Sequence, residues 1–320
     1  MLRGHSFVRT AGVFAGLCGV LAAAPAVAWG AGAQAAAAGS PWWVWVVGLF
    51  CLSFLLGVFS LLGGMGGGTL FVAIVGGFFP FHLDFVRGAS LMVALTGALS
   101  AGPGLLRFGM GDLRLSLPAA LMTSSGAIVG AMVGLELPVA VVQTALGVTI
   151  LGVVILLVKS RRAEYPAVPA ADALARRLGL QGTYLDRATG EEVAWRVHRT
   201  PLALLGFLAV GLMAGVFGIG GGWANTIILN LLMGAPLKVA VGTSKLIVAL
   251  TDTSAVWIYL HRGAILPVVV APSILGMMLG SWVGVGILVR IAPVRLRFFV
   301  VTLLLFAGVR SLLKGLAIWP

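Results

Sequence analysis

Two apolar runs in this chain are interrupted by the same glycine-rich break, 154 residues apart. The first break is Gly64-Met65-Gly66-Gly67-Gly68 and the second is Gly218-Ile219-Gly220-Gly221-Gly222. The register then holds without a gap: Gly57 matches Gly211, Gly88 matches Gly242, Ser90 matches Ser244, Pro118 matches Pro272 and Gly126 matches Gly280. Unwound backbone at membrane depth is tolerated only where protein buries it or where it lines a cavity. A hydrophobic chain duplicated in this way, broken at the same point of each half, points to paired membrane repeats with a binding site at the breaks.

Composition supports the membrane reading. The chain is 60% hydrophobic and 9% charged, with a mean hydropathy of +1.11, more apolar surface than a soluble domain needs. The segments have helical length and lack the period-2 alternation of an outer-membrane barrel. The expected fold is an all-α polytopic bundle of about eight spans, built as two inverted repeats, each with a broken helix and a short half-helix. The net charge of +12 does not imply nucleic acid, because the basic residues lie between hydrophobic runs, where the positive-inside rule places them. The membrane body carries few carboxylates, Asp84, Asp112, Glu136 and Asp252, which leaves little for a metal. Cys18 and Cys51 give neither a disulfide framework nor a metal spacing. No Ser/His/Asp arrangement and no HExxH motif is present, so the chain reads as a non-enzyme without a cofactor.

Five regions follow. Residues 1–28 have a basic start at Arg3 and Arg9, a short apolar stretch and an Ala26-Val27-Ala28 cleavage pattern, so they read as a signal peptide, with a retained anchor as the rival. Residues 29–41 are an Ala/Gly linker. The first membrane repeat is 42–158 and the second 201–320, with spans near 43–62, 86–107, 115–135, 138–158, 201–217, 238–260, 264–289 and 294–314. Short pieces near 69–79 and 223–233 fall short of the ~30 Å hydrocarbon thickness. Residues 159–200 read as a cytoplasmic linker, with a short helix from Asp172 to Leu178 ended by Gly179 and two strands that pair across Ala188-Thr189-Gly190. It is too short for an independent core. Basic loops at 107–114, 159–199 and 290–297 place those segments inside, which turns the two halves in opposite directions and leaves the mature N-terminus outside. Arg262 stands against this scheme, as a basic residue on the expected outer side.

The candidate site follows from the breaks. Half-helices begin near Thr69 and Trp223, and helix N-termini present unpaired N–H groups and partial positive charge. Gly66, Gly67, Gly68 and Thr69 with Gly220, Gly221, Gly222 and Asn225 would then surround a small anion. Close helix packing is the alternative use of these glycines. The hydroxyls of Ser90, Thr243 and Ser244 either face that anion or bond back to their own helix. Lys245 and Asp252 are seven residues apart on nearly one helix face, and ionisable residues within a span are functional candidates by default. Lys245 either holds the anion or snorkels to the interface; Asp252 either couples a proton or pairs with a neighbouring helix. Asp84 and Arg87 are expected to pair at a loop. His82 and His261 are expected at the interface.

The paired G-x-GGG breaks, each followed about 20 residues later by a G-[AT]-S element (Gly88-Ala89-Ser90 and Gly242-Thr243-Ser244), resemble the TauE/SafE family of sulfite exporters. The resemblance covers roughly 43–158 and 201–315. It implies a multi-span secondary transporter in a bacterial-type inner membrane that exports sulfite or a related sulfur-containing organic anion. The chain departs from the family pattern at Phe71-Val72-Ala73 and Asn225-Thr226-Ile227, where a proline is usual, and at Lys245, where the residue is usually apolar. The expected partners are a small anionic substrate and membrane lipid, with a homo-oligomer left open. An anion channel and a membrane scaffold or sensor acting through 159–200 are the alternatives.

Overall fold

The computed structural model describes residues 42–62, 66–79, 81–159, 166, 168, 170–186, 190–288 and 294–316. The expected signal and linker, Gly64 and Met65 of the first break, and Arg161, Arg162 and Arg290 lie outside the described residues. The first half comprises α1 (Trp42–Leu62), α2 (Gly67–Phe78), α3 (Leu83–Arg107), α4 (Leu113–Glu136) and α5 (Val139–Lys159). An insertion follows, with α6 (Ala173–Leu178), β1 (Gln181–Asp186) and β2 (Glu191–Arg196). The second half comprises α7 (Thr200–Phe217), α8 (Gly222–Ile227, continued by a π-helical turn Ile228–Leu232), α9 (Leu237–His261), α10 (Pro267–Leu288) and α11 (Val294–Gly315). Among the described residues six helices, α1, α3, α4, α7, α9 and α10, are long and apolar enough to cross a membrane. The chain is an all-α, multi-pass membrane bundle.

Each broken helix folds into a hairpin. The Trp45 ring near the start of α1 packs edge-on against Phe79 and Phe81 after the end of α2, with centroids 5.6 and 6.1 Å away. His198 N–H donates to Met233 O at 3.0 Å, which brings the end of α8 back to the start of α7. Gly66 of the first break and residues 218–221 of the second lie between the two arms of their hairpins.

The halves pack by exchange. α1 lies along α10 and α7 along α4, while α3 packs on α9 and α5 on α11. The close approaches are made at glycines. A Cβ on Gly126 would sit 2.8 Å from Leu212 N, and one on Gly280 would sit 2.9 Å from the Phe54 carbonyl carbon. Gly130, Gly134 and Gly276 likewise face a neighbouring helix backbone. At the central pair, Gly88 near the start of α3 meets Ala264 after α9, and Gly242 near the start of α9 meets Met110 after α3. These two helices therefore run antiparallel.

The insertion has the expected local structure. Gly179 ends α6 in the left-handed conformation (φ +64°), and β1 pairs antiparallel with β2 from Gln181↔Arg196 to Asp186↔Glu191. It packs on the bundle. Leu180, Tyr184, Trp195 and Val197 are buried in one cluster with Leu115 and Ala119 of α4, Ala203 and Phe207 of α7 and Val239 of α9. Too short for a core of its own, the segment borrows one from the bundle. A buried ion pair, Lys238 Nζ to Asp186 Oδ1 at 2.6 Å, ties β1 to the first turn of α9. Arg262, just after α9, pairs through its guanidinium with Glu136 at 2.9 Å on the exposed end of α4.

Candidate functional site

The two breaks touch. Gly66 is the extended residue before α2 (φ −73°, ψ 135°). In the second half, Gly218 ends α7 at φ +64° and Gly220 follows at φ +60°, a left-handed conformation in which a side chain is strained. A Cβ on Gly222 would lie 3.0 Å from Gly66 Cα, so nothing larger than hydrogen fits between the hairpin tips without a shift. Gly220 lies against Ala94 and Gly222 against Val248, residues midway along α3 and α9. The breaks therefore meet at half the height of the bundle. Thr69, in the first turn of α2, fastens them: its hydroxyl donates across the contact to Ile219 O at 2.7 Å.

Both half-helices start from this point and diverge, so two sets of unpaired N–H groups converge on it. α8 passes into a π-helical turn at Ile228–Leu232, and Asn230 Nδ2 donates to Ala235 O at 2.9 Å beyond it. Such widened turns recur at functional sites.

The hydroxyl elements hold the half-helices in place. Ser90 donates to Gly68 O at 2.7 Å, from α3 to the first turn of α2. On the other side a relay does the same work: Thr226 Oγ1 contacts Gly222 O at 2.8 Å and Ser244 Oγ at 3.0 Å, while Ser244 donates to Val241 O in its own helix at 3.1 Å. Thr243, near the start of α9, accepts from Asp112 N–H at 3.1 Å, a contact with the segment after α3 and not with the half-helices.

The charged pair lies in the interior. Lys245 is 3% exposed and Asp252 is fully buried, so neither reaches the bilayer surface. Asp252 Oδ2 lies 3.3 Å from where a Cβ on Gly220 would be, and neither carboxylate oxygen has a hydrogen-bond partner. Lys245 and Asp252 interact electrostatically along α9. The Asn225 amide lies against Gly221, and its oxygen and nitrogen are both buried and unpartnered, as is Trp223 Nε1. An unmet buried polar group costs about 1–3 kcal/mol, more when charged. Asp252 and Asn225 border the glycine break and Trp223 follows it in sequence, so these polar atoms without a partner belong to residues at or next to the break. The set is one-sided: the positions 154 residues earlier are Ala98, Phe71 and Thr69, and the counterpart of Lys245 is Leu91. The backbone of the breaks is duplicated, but the charge and the amide come from the second half. No group of three or more His, Cys, Asp or Glu comes together among the described residues.

Arg87 is the residue whose place the sequence reading missed. It pairs with Asp84 as expected, at 2.8 Å, but within α3 and not at a loop, and it is 1% exposed. Its Nη1 also donates to Gly134 O at 3.2 Å, its Nη2 donates to Val216 O, and its guanidinium sits 5.4 Å from the Tyr259 ring centre. Tyr259 in turn donates to Gly215 O at 2.9 Å. Arg87 thus joins the ends of α4 and α7 to α3 and α9 just beyond the second break. The available signal was the three-residue spacing from Asp84, the separation at which side chains meet on a helix. His82 accepts from Asp84 N–H at 3.4 Å at the exposed start of α3, and His261 stacks on Trp257 at the far end of α9.

A family model described as "Sulfite exporter TauE/SafE" matches residues 49–311. No curated protein and no solved structure matches the chain.

Proposed function

The chain belongs to the TauE/SafE sulfite exporter family, a family of membrane transporters, and from that premise we propose that it exports a small sulfur-bearing oxyanion, sulfite or a sulfonate, from a site where the two glycine breaks meet. The observation that carries this reading is the unpartnered buried polar atoms of Asp252 and Asn225, which lie against Gly220 and Gly221. Each half contributes a half-helix start, whose N–H groups favour a negative ligand. Lys245 supplies the full positive charge. Asn225 Nδ2 and Trp223 Nε1 are neutral donors that suit the oxygens of a sulfur oxyanion.

Asp252 carries the coupling proton in this proposal. A buried carboxylate without hydrogen bonds is more easily moved through the bilayer core neutral than charged. Protonated Asp252 also leaves the charge of Lys245 to the anion, so proton and anion occupancy favour one another. The chain enters the inner membrane with the insertion on the cytoplasmic side. The hairpins fit this orientation: α1–α2 returns to the end where α3 starts, and α7–α8 to the end that carries the basic insertion. The halves rock about the paired breaks to give alternating access.

Sulfite flux into proteoliposomes, with sulfonates in parallel, tests the proposal. Wild-type flux saturates with anion concentration, and Lys245→Met raises the half-saturating concentration by tenfold or more, about 1.4 kcal/mol of lost anion binding. Flux that rises linearly with concentration and ignores Lys245→Met would replace this reading with an anion channel.

A further inference from the structure

We propose that a cleft at the foot of α7 binds the phosphodiester headgroup of an anionic membrane phospholipid. The cleft is open, about 760 Å³ in volume, and is walled by Ala170, Asp172, Leu174, Arg177, His198 and Arg199, with Pro201 at its edge. It is separate from the glycine breaks, at the junction of the insertion and the membrane bundle.

Charge argues for the occupant. Among the described residues neither Arg177 nor Arg199 forms an ion pair. The acidic group in the wall, Asp172, already accepts a hydrogen bond from the Thr200 hydroxyl at 2.8 Å, which turns it toward the start of α7. Two guanidinium forks therefore face an open space beside one engaged carboxylate. Guanidinium groups bind phosphate oxygens two at a time, a geometry that ammonium groups lack.

The backbone makes the same point. Arg199 has φ +55° and ψ 32° and is the one non-glycine residue with positive φ among those described. Glycine or asparagine suits that conformation better, so an arginine there is held for its side chain. Arg199 is the residue just before α7, whose first turn holds Pro201. His198 is fixed behind it, with its Nδ1 buried near Gly234 and its N–H bonded to Met233 O.

Position argues for a lipid over a soluble phosphate. α7 is a membrane span, and its first exposed side chains above the cleft are Leu202 (57% exposed) and Leu205 (65%). A phosphate held by Arg177 and Arg199 has its acyl chains directed along this apolar face. Basic pockets at the interfacial end of membrane helices recognise anionic headgroups in this way. The bound lipid would pin the insertion to α7 at membrane level.

Lipid binding to the purified full-length protein in mild detergent decides the matter, read by native mass spectrometry with phosphatidylglycerol, phosphatidylcholine and inorganic phosphate as probes. Wild type binds phosphatidylglycerol about thirtyfold more tightly than phosphatidylcholine, the effect of two arginines at a membrane surface. R177Q/R199Q removes that preference, while R176Q, one residue outside the cleft, keeps it. R199G retains the left-handed turn, which keeps a folding defect apart from a binding defect, and it loses about fivefold. A preference that survives in R199G and R177Q/R199Q overturns the proposal. So does inorganic phosphate displacing the lipid at equal concentration, which would make this a site for a soluble anion.

Discussion

Replacing Asp186 with alanine tests how the insertion is held. The carboxylate is fully buried and its Oδ1 is 2.6 Å from Lys238 Nζ, whose side chain is 6% exposed. Removing one partner of such a pair strands the other as an uncompensated buried charge, at a cost of about 3–5 kcal/mol. The least disruptive escape is local. If β1 and β2 lift from the bundle, Lys238 regains water while the helices stay packed. The free energy of that opening then falls by the stranded-charge penalty, which raises hydrogen exchange of the hairpin amides by about two to nearly four decades. Exchange measured by mass spectrometry in nanodiscs follows peptides covering 181–196 against peptides from α4 and α10. Asp186→Ala/Lys238→Met removes both charges and restores most of the protection, because an apolar pair of similar volume is often as stable as the buried ion pair. Unchanged exchange in Asp186→Ala would refute the reasoning. It would show that Leu180, Tyr184, Trp195 and Val197 hold the insertion and that the ion pair contributes nothing.

Glycine substitutions separate contact from flexibility. Gly57→Ala places a Cβ 2.8 Å from Met277 O and Ser281 N and should lower stability by about 1–3 kcal/mol in thermal unfolding, whereas Gly48→Ala and Gly152→Ala meet nothing within 4 Å and should be neutral or stabilising. Arg87→Lys keeps the charge but loses the planar fork that serves Asp84, Gly134 O and Val216 O together, so it should be nearly as unstable as Arg87→Met; full rescue by lysine would show that charge alone matters. Thr69→Val removes the hydrogen bond from the first hairpin to Ile219 O, a loss of about 0.5–1.5 kcal/mol. Its signature is a change in transport rate with little change in melting temperature.

The helices were legible because each is a long apolar run with a punctuating residue at its end. Expected spans such as 86–107 and 201–217 differ by three residues or fewer from α3 and α7. The breaks were legible because consecutive glycines in a hydrophobic run have no cheap helical explanation. The exchange of α1 onto α10 and α7 onto α4 was not, since these helices are apolar on most sides and their periodicity names no partner. The docking of the insertion was hidden for a related reason. Tyr184 and Trp195 alternate as in any short hairpin, and only Lys238, a full heptad before Lys245, hints at a buried anion near the start of α9. Within the candidate site, Lys245, Asp252 and Asn225 stood out as polar residues in apolar surroundings. Ser90 and Ser244 stood out too, but chemistry alone does not separate a hydroxyl that meets a ligand from one that holds a half-helix. Arg87 was misplaced because charge near a span end usually means the surface, and here the span is crossed by neighbours that bury it.

The most direct test of the account is sulfite flux in proteoliposomes with and without an imposed pH gradient, wild type against Asp252→Asn. The account predicts saturable wild-type flux that responds to the gradient, and an Asp252→Asn protein that folds, binds sulfite and no longer responds. Flux that is gradient-driven to the same extent in both proteins would contradict the coupling role given to Asp252.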